Sequence, residues 1–196
     1  MKTPESCLDS KDRIDILLEE YRSLNSLLLF RLTALDRRLP LFAGLITASL
    51  ATVLALPQNS QTIILLIVPA ALLWLARTTV QHARAKEDHL RRIDEIERAI
   101  NEIAGEHLLM FQSRHPSRGR TPAGRTGNST VVATTFGTLF ILLFSLFLFL
   151  ETPRPVPDWI YVSYLVLVML GVSIGPVRLS KYHYRKRPPE LILPNN

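Results

Sequence analysis

Three long stretches of the chain carry no charged side chain. Residues 39–76, 126–150 and 159–177 contain no Asp, Glu, Lys or Arg. A helix needs about 20 apolar residues to cross the roughly 30 Å hydrocarbon core of a bilayer. The first stretch is long enough for two helices, with a turn predicted at residues 57–60 because Pro, Gln, Asn and Ser favour turns. The pattern therefore predicts four transmembrane helices, at residues 39–56, 61–76, 131–150 and 159–177.

Residues 39–76 could instead form a buried hairpin of a soluble helical bundle. This interpretation is disfavoured because 38 consecutive residues lack a charge, whereas helices in soluble bundles carry charged residues on their solvent face. The predicted fold class is therefore all-α, a polytopic membrane protein with four transmembrane helices.

An amphipathic helix is predicted on each side of the first pair of spans. Between residues 11 and 38, apolar side chains recur at steps of three and four, the spacing of one helix face. They are Ile14, Leu17, Tyr21, Leu24 and Leu28. Residues 77–112 carry a second such stripe, made of Ile93, Ile96, Ile100 and Ile103. A membrane hairpin makes these helices neighbours, so we expect them to pack as a cytosolic antiparallel helical hairpin. The alternatives are a first helix that lies in the membrane interface and a coiled coil between chains.

The rest of the chain divides at a segment of linker composition. Residues 113–130 are rich in Pro, Gly and Arg, which predicts a flexible linker. It separates an amino-terminal module, residues 1–112, from a second transmembrane hairpin, residues 131–178. Residues 179–196 form a basic tail.

The positive charges indicate an orientation. Of the 23 Lys and Arg residues, only Arg154 lies in a short loop within a pair of spans. The positive-inside rule then predicts a multi-pass protein of the cell membrane with both termini cytoplasmic. Trp159, Tyr161 and Tyr164 begin the fourth span, where an aromatic belt is expected.

The net charge of +6 suggests anionic lipid headgroups as partners. Nucleic-acid binding by the arginine-rich linker is disfavoured because that segment lacks interleaved aromatic residues.

Small residues spaced four apart allow helix backbones to approach closely in lipid. Such pairs in the predicted spans include Gly44 with Ala48, Ala133 with Gly137, and Gly171 with Gly175. These residues are the predicted helix-packing positions. The spacing does not distinguish packing within one chain from homo-oligomerisation.

Catalytic chemistry is not predicted. The spans contain no His, Asp, Glu, Lys or Arg, the groups on which intramembrane catalysis and proton relays usually depend. Residues 171–175 match G-x-S-x-G, but that motif requires a strand-to-turn-to-helix context that an apolar span does not offer. His82 and His89 share a helix face without a third converging ligand, so no metal or other cofactor is predicted.

One architectural resemblance extends over residues 17–111. The segment that reads LLEEYRSL from Leu17, then Arg31-Leu32 and the first pair of spans, resembles the layout of bacterial SLATT domains. These are small two-span proteins with flanking amphipathic helices, predicted to be membrane effectors in bacterial conflict and nucleotide-signalling systems. The resemblance is one of layout without a diagnostic motif, and this chain adds a second pair of spans. It implies an oligomeric, membrane-perturbing effector controlled by a cytosolic partner.

We therefore expect a non-enzymatic integral membrane protein. The first hypothesis is an oligomeric membrane effector or pore regulated through its cytosolic helices. The alternative is a membrane-anchored scaffold whose cytosolic helical hairpin binds a partner protein.

Overall fold

The fold is all-α, as predicted. The computed structural model describes residues 9–55, 57–113, 124–151 and 156–181, and these ranges contain no β-strand. The helices are α1 (Ser10–Asp36), α2 (Arg38–Ala55), α3 (Gln58–Ala104), α4 (Gly124–Leu150) and α5 (Asp158–Ser180). Helix α3 is central, because it packs against each of the other four.

Helix α3 combines two regions of different chemistry in one element. Its 47 residues extend over roughly 70 Å at the rise of an α-helix. We call residues 58–76, which lack charge, the apolar half, and residues 77–104 the charged half. Leu65 and Leu72 of the apolar half lie in clusters with side chains of α2, α4 and α5. The predicted second span and the amphipathic helix that follows it are thus one continuous helix.

Both ends of α3 and the start of α4 differ from the predicted boundaries. Helix α3 ends at Ala104 rather than at Gln112, because Gly105 takes a left-handed conformation with a φ of 69°. Glycine adopts this conformation without the steric cost of a Cβ atom. Helix α3 also begins at Gln58, inside the predicted turn. Helix α4 begins at Gly124, so part of the predicted linker is helical; residues 114–123 lie outside the described ranges.

Within the described ranges, three helices are long and apolar enough to cross a membrane, which indicates a membrane protein. The qualifying segments are Gln61–Ala104, Gly127–Leu150 and Asp158–Ser180. Helix α2, at the first predicted span, is not among them; it is 18 residues long and begins with Arg38. The outward faces of α4, of α5 and of the apolar half of α3 are apolar, as expected for surfaces that contact lipid. Their most exposed large side chains include Ile67, Trp74, Phe136, Phe140, Trp159 and Leu167.

A buried tyrosine links three helices in the core of the apolar half. Tyr161 of α5 is fully buried and stacks on Phe149 of α4, with 3.9 Å between ring centroids. Its hydroxyl lies 2.6 Å from Ser145 Oγ and donates a hydrogen bond of 3.2 Å to the carbonyl oxygen of Leu65. In a regular helix that carbonyl would accept from residue 69, but Pro69 has no N–H. Tyr161 therefore supplies the donor that Pro69 lacks and, unlike the exposed Trp159, it does not lie in an aromatic belt.

Candidate functional site: the polar interface of α1 and α3

Helix α1 packs antiparallel along the charged half of α3. Glu20 pairs with Arg92, with Oε1 2.7 Å from Nε and Oε2 3.0 Å from Nη2. Farther along α1, Arg31 Nη1 lies 2.9 Å from His82 Nδ1. As residue numbers rise in α1, those of its partners in α3 fall, which defines the antiparallel arrangement.

The apolar residues predicted for this interface line the contact to different degrees. Ile93, Ile96 and Ile100 are buried, with exposed fractions of 0, 1 and 2%, while Ile103 is half-buried. On α1, Leu28 is buried, and the other predicted positions are half-buried, namely Ile14, Leu17, Tyr21 and Leu24. All nine residues are thus buried or half-buried, with the tightest packing around the isoleucines.

A buried carboxylate lies at the centre of the interface. Glu97 follows directly after the buried Ile96 and has no exposed surface itself. Both of its oxygens accept the backbone N–H of Gln112, at 2.8 and 2.7 Å, and Oε2 accepts the N–H of Ser113 at 2.6 Å. Tyr21 of α1 donates a longer hydrogen bond of 3.4 Å to Oε1. A buried charge is costly unless hydrogen bonds compensate it, and these donors provide that compensation.

Tyr21 responds to the same environment. Burial raises the pKa of the Tyr21 phenol, and the negative charge of Glu97 raises this pKa further. The phenol therefore stays protonated and remains a donor to Glu97. The hydrogen bond from Tyr21 thus connects α1 to Gln112 and Ser113, whose backbone N–H groups Glu97 binds.

The chain after α3 folds back against that helix. We call residues 105–113 the return segment. Asn101, one helical turn after Glu97, accepts the backbone N–H of Leu108 and of Leu109 at 2.9 Å each, and its Nδ2 donates to Leu109 O at 2.8 Å. Glu97 and Asn101 together bind four backbone N–H groups of the return segment, so this reversal is well defined despite having no regular secondary structure.

A cationic cluster, formed by Arg31 of α1 and Lys86 of α3, lies at the end of the interface nearest the apolar half. Arginine can only donate, so His82 Nδ1 accepts from Arg31 and the proton of the neutral imidazole lies on Nε2. Lys86 of α3 is 7% exposed. Arg31 Nε and His89 Nδ1 are buried and have no hydrogen-bond partner among the described residues. The described residues include no group of three or more His, Cys, Asp or Glu that could hold a metal ion.

The predicted small-residue pairs behave unequally. A Cβ atom at Gly171 or Gly175 would lie 3.0 Å from Leu73 or Val80, so this pair sets a close approach of α5 to α3. Gly137 of α4 is closer still to its neighbour, since a Cβ there would lie 2.6 Å from the ring of Phe42 in α2. The remaining predicted positions, Gly44, Ala48 and Ala133, are exposed.

Sequence reasoning did not identify Glu97 or Asn101. Two polar residues one turn apart, next to buried isoleucines and shortly before Gly105, were the available signal. The pattern alone does not reveal their partners, because those are backbone amides that approach only after the chain reverses. Comparison of this chain with protein families, with curated proteins and with solved structures found no match.

Proposed function

We propose that this chain is a non-enzymatic integral membrane protein that acts as an oligomeric membrane effector or pore. Four helices, α2 to α5, span the bilayer, both termini are cytoplasmic, and the antiparallel pair of α1 and the charged half of α3 is the regulatory part. The resemblance to SLATT domains belongs to this proposal and rests on the layout of residues 17–111.

The continuity of α3 carries the proposal. A bilayer needs about 20 helical residues, so a helix of 47 residues extends well beyond it. The apolar half packs among the other spanning helices, and the charged half packs against α1. Because no break separates the halves, a change in the α1 contact is transmitted to the spans as movement of one rigid element.

The polar residues of the α1 interface support its regulatory role. A purely apolar seam would be more stable, since buried ionic groups rarely improve on well-packed hydrophobic residues. The Glu97 and Arg31 contacts instead make the packing of α1 dependent on specific partners. Such an interface can have a second arrangement when a ligand or partner competes for these groups.

The orientation has its own test. Single cysteines at positions 58 and 154, in a Cys7→Ser background, should react with an impermeant thiol reagent from outside the cell. A cysteine at Glu102 should react only after the cells are opened. Labelling of positions 58 and 154 from the inside alone would reverse the proposed orientation.

Dye release from liposomes tests the effector function. The double variant Ile96→Asp, Ile100→Asp places unpaired charges in the centre of the α1 contact, at positions that are almost fully buried. We expect it to release dye several times faster than the wild type at equal amounts of inserted protein. Glu102→Gln is the matched control, because Glu102 is exposed on the same helix. Tight liposomes for all three proteins at high protein density would contradict the proposal.

The return segment favours a second candidate function, a membrane-anchored scaffold. Its exposed large side chains are Leu108, Met110 and Phe111. Glu97 and Asn101 fix the backbone that carries them, so this apolar patch is presented in a defined geometry to another protein. The scaffold predicts that one partner crosslinks to a photoreactive side chain at position 110 and is lost in Leu108→Ser, Phe111→Ser while liposomes stay tight.

A further inference from the structure

A cleft lies at the junction where α1 ends and α2 begins, against the middle of α3. Its volume is about 770 Å³. Its walls come from three helices. Helix α1 contributes Phe30 and Ala34, and Arg37 follows directly after α1. Helix α2 contributes Arg38 and Leu41, and α3 contributes Trp74. The cleft is open to the outside, because Phe30, Leu41 and Trp74 are each about three-fifths exposed, at 62, 60 and 65%.

The cleft has a cationic end and an apolar end. Arg37 and Arg38 are consecutive and form the cationic end, while Leu41, Leu45 and Ala71 continue the lining with apolar side chains. Arg38 Nη1 donates a 3.0 Å hydrogen bond to Thr78 Oγ1, which holds its guanidinium near the cleft. Among the described residues, no carboxylate forms an ion pair with Arg37 or Arg38.

The division between the two ends coincides with a boundary in the sequence. The two arginines immediately precede the uncharged stretch at residues 39–76, and Leu75 lies at its other end. The cationic end thus lies at the level where the proposed spans leave the hydrocarbon, and the apolar end lies inside it. Phosphate groups of lipids occupy that level, and their acyl chains lie below it.

We propose that this cleft binds one anionic phospholipid. The phosphate and any further headgroup charge lie against Arg37 and Arg38, whose fork of N–H donors suits phosphate oxygens, and an acyl chain lies along Leu41, Leu45 and Trp74. The inference rests on the membrane location of α2 and α3 in the proposed function, and it does not depend on pore formation. Bound there, the lipid bridges the α1–α2 junction and α3, next to the polar interface.

Tryptophan quenching tests the proposal with the full chain. The protein has two tryptophans, Trp74 and Trp159, so Trp159→Phe leaves a reporter in the cleft. The protein is reconstituted in phosphatidylcholine with a small fraction of phosphatidylglycerol, and either the phosphatidylglycerol or an equal mole fraction of the phosphatidylcholine carries brominated acyl chains. Each arginine near an anionic lipid raises the binding constant about fivefold. We therefore expect brominated phosphatidylglycerol to occupy the cleft more often than brominated phosphatidylcholine, and so to quench Trp74 more strongly.

Matched variants separate the site from general membrane charge. Arg37→Gln, Arg38→Gln should abolish the preference, and the lysine pair at the same positions should retain most of it, which also shows that the fold tolerates substitution. Arg178→Gln, at an exposed arginine of α5, should change nothing. Trp74→Phe leaves Trp159 as a reporter outside the cleft, and we expect both brominated lipids to quench it equally.

Each contrary result has a distinct meaning. Equal quenching of Trp74 by the two lipids, or a preference that survives Arg37→Gln, Arg38→Gln, would overturn the proposal. Loss of the preference upon addition of inorganic phosphate would replace the phospholipid by a free anion as the occupant. Absence of quenching of both tryptophans would overturn the membrane location itself, whereas tight liposomes with a preserved preference would refute only the effector function.

Discussion

The two halves of α3 are held by different chemistry. In the apolar half, neutral hydroxyls satisfy backbone carbonyls, as Tyr161 does for Leu65, and the helices approach closely over Gly171 and Gly175. In the charged half, Arg92 pairs with the carboxylate of Glu20 in α1, and the carboxylate of Glu97 accepts backbone N–H groups. One helix therefore changes its mode of stabilisation along its length.

The proposed membrane location accounts for this difference. Inside a bilayer no water can solvate an unpaired polar group, so neutral donors and close packing are the least costly solution. Outside it, ionic contacts form readily but respond to pH and salt. In the proposed function, the charged half is the part of the molecule that conditions in solution adjust, and the apolar half carries the change into the bundle.

Glu97→Ala should have the largest effect, because it removes the acceptor from two buried backbone N–H groups. Each unsatisfied buried donor costs about 1–3 kcal/mol, so we expect the return segment to detach from α3. Hydrogen exchange at the amides of Gln112 and Ser113 should become faster by orders of magnitude. Exchange in the apolar half, for instance at Leu72, should stay as slow as in the wild type.

Glu102→Ala serves as the control for this substitution. Glu102 is exposed on the same helix, and alanine is a better helix former than glutamate, so the amides of Gln112 and Ser113 should stay as protected as in the wild type. If the amides of Gln112 and Ser113 remained protected in Glu97→Ala, the carboxylate would not be what holds the return segment.

The elements of the fold could be predicted from the sequence because they depend on local periodicity. Runs without charge located α5 almost to its ends and the end of α4 at Leu150, and steps of three and four placed Ile93 and Ile96 on one face of a helix. These signals need no knowledge of distant residues. The existence and type of each element followed from them, whereas the position of Ala104 as the end of α3 depended on the conformation of Gly105.

The contacts that distinguish the two halves could not be predicted in this way. Glu97 and Ser113 meet only because the chain reverses between them, and Tyr161 reaches Leu65 from another helix. A tyrosine at the end of an apolar run fits an aromatic belt equally well from sequence alone. The one clue was that Pro69 has no N–H to donate to the Leu65 carbonyl. This absence does not identify which side chain donates in its place.

Tyr161→Phe should weaken the apolar half by a smaller amount. The change leaves the Leu65 carbonyl without its donor, and hydrogen bonds between helices in membranes are worth about 1 kcal/mol. We expect that loss in the free energy of unfolding, measured in mixed micelles with increasing SDS. Trp159→Phe, at a 71% exposed position of the same helix, should have no comparable cost.

A second substitution connects this loss to the proline. Pro69→Ala restores an N–H that can bond to the Leu65 carbonyl within α3, so Tyr161→Phe should cost less in that background. An equal cost in both backgrounds would show that Tyr161 acts through its stacking on Phe149 and its contact with Ser145, and not through the carbonyl.

The smallest effect is expected for Glu20→Gln, which removes the ion pair with Arg92. Both side chains are more than one-third exposed, and exposed pairs contribute only about 0.5 kcal/mol. The hydrogen bond from Arg92 lowers the pKa of the Glu20 carboxyl below its usual 4.5. Its contribution is therefore complete above pH 4.5 and is lost as the pH falls through the lowered value.

Comparison of the two proteins across pH isolates this contribution. Wild type and Glu20→Gln should differ slightly in stability at neutral pH and converge as Glu20 becomes protonated. Added salt should reduce the difference at neutral pH, because the pair is accessible to counterions. Tyr161→Phe should keep its cost under the same changes, since no ionisable partner takes part in its contacts. A salt-dependent cost for Tyr161→Phe, together with a salt-independent one for Glu20→Gln, would remove the physical basis for distinguishing the two halves.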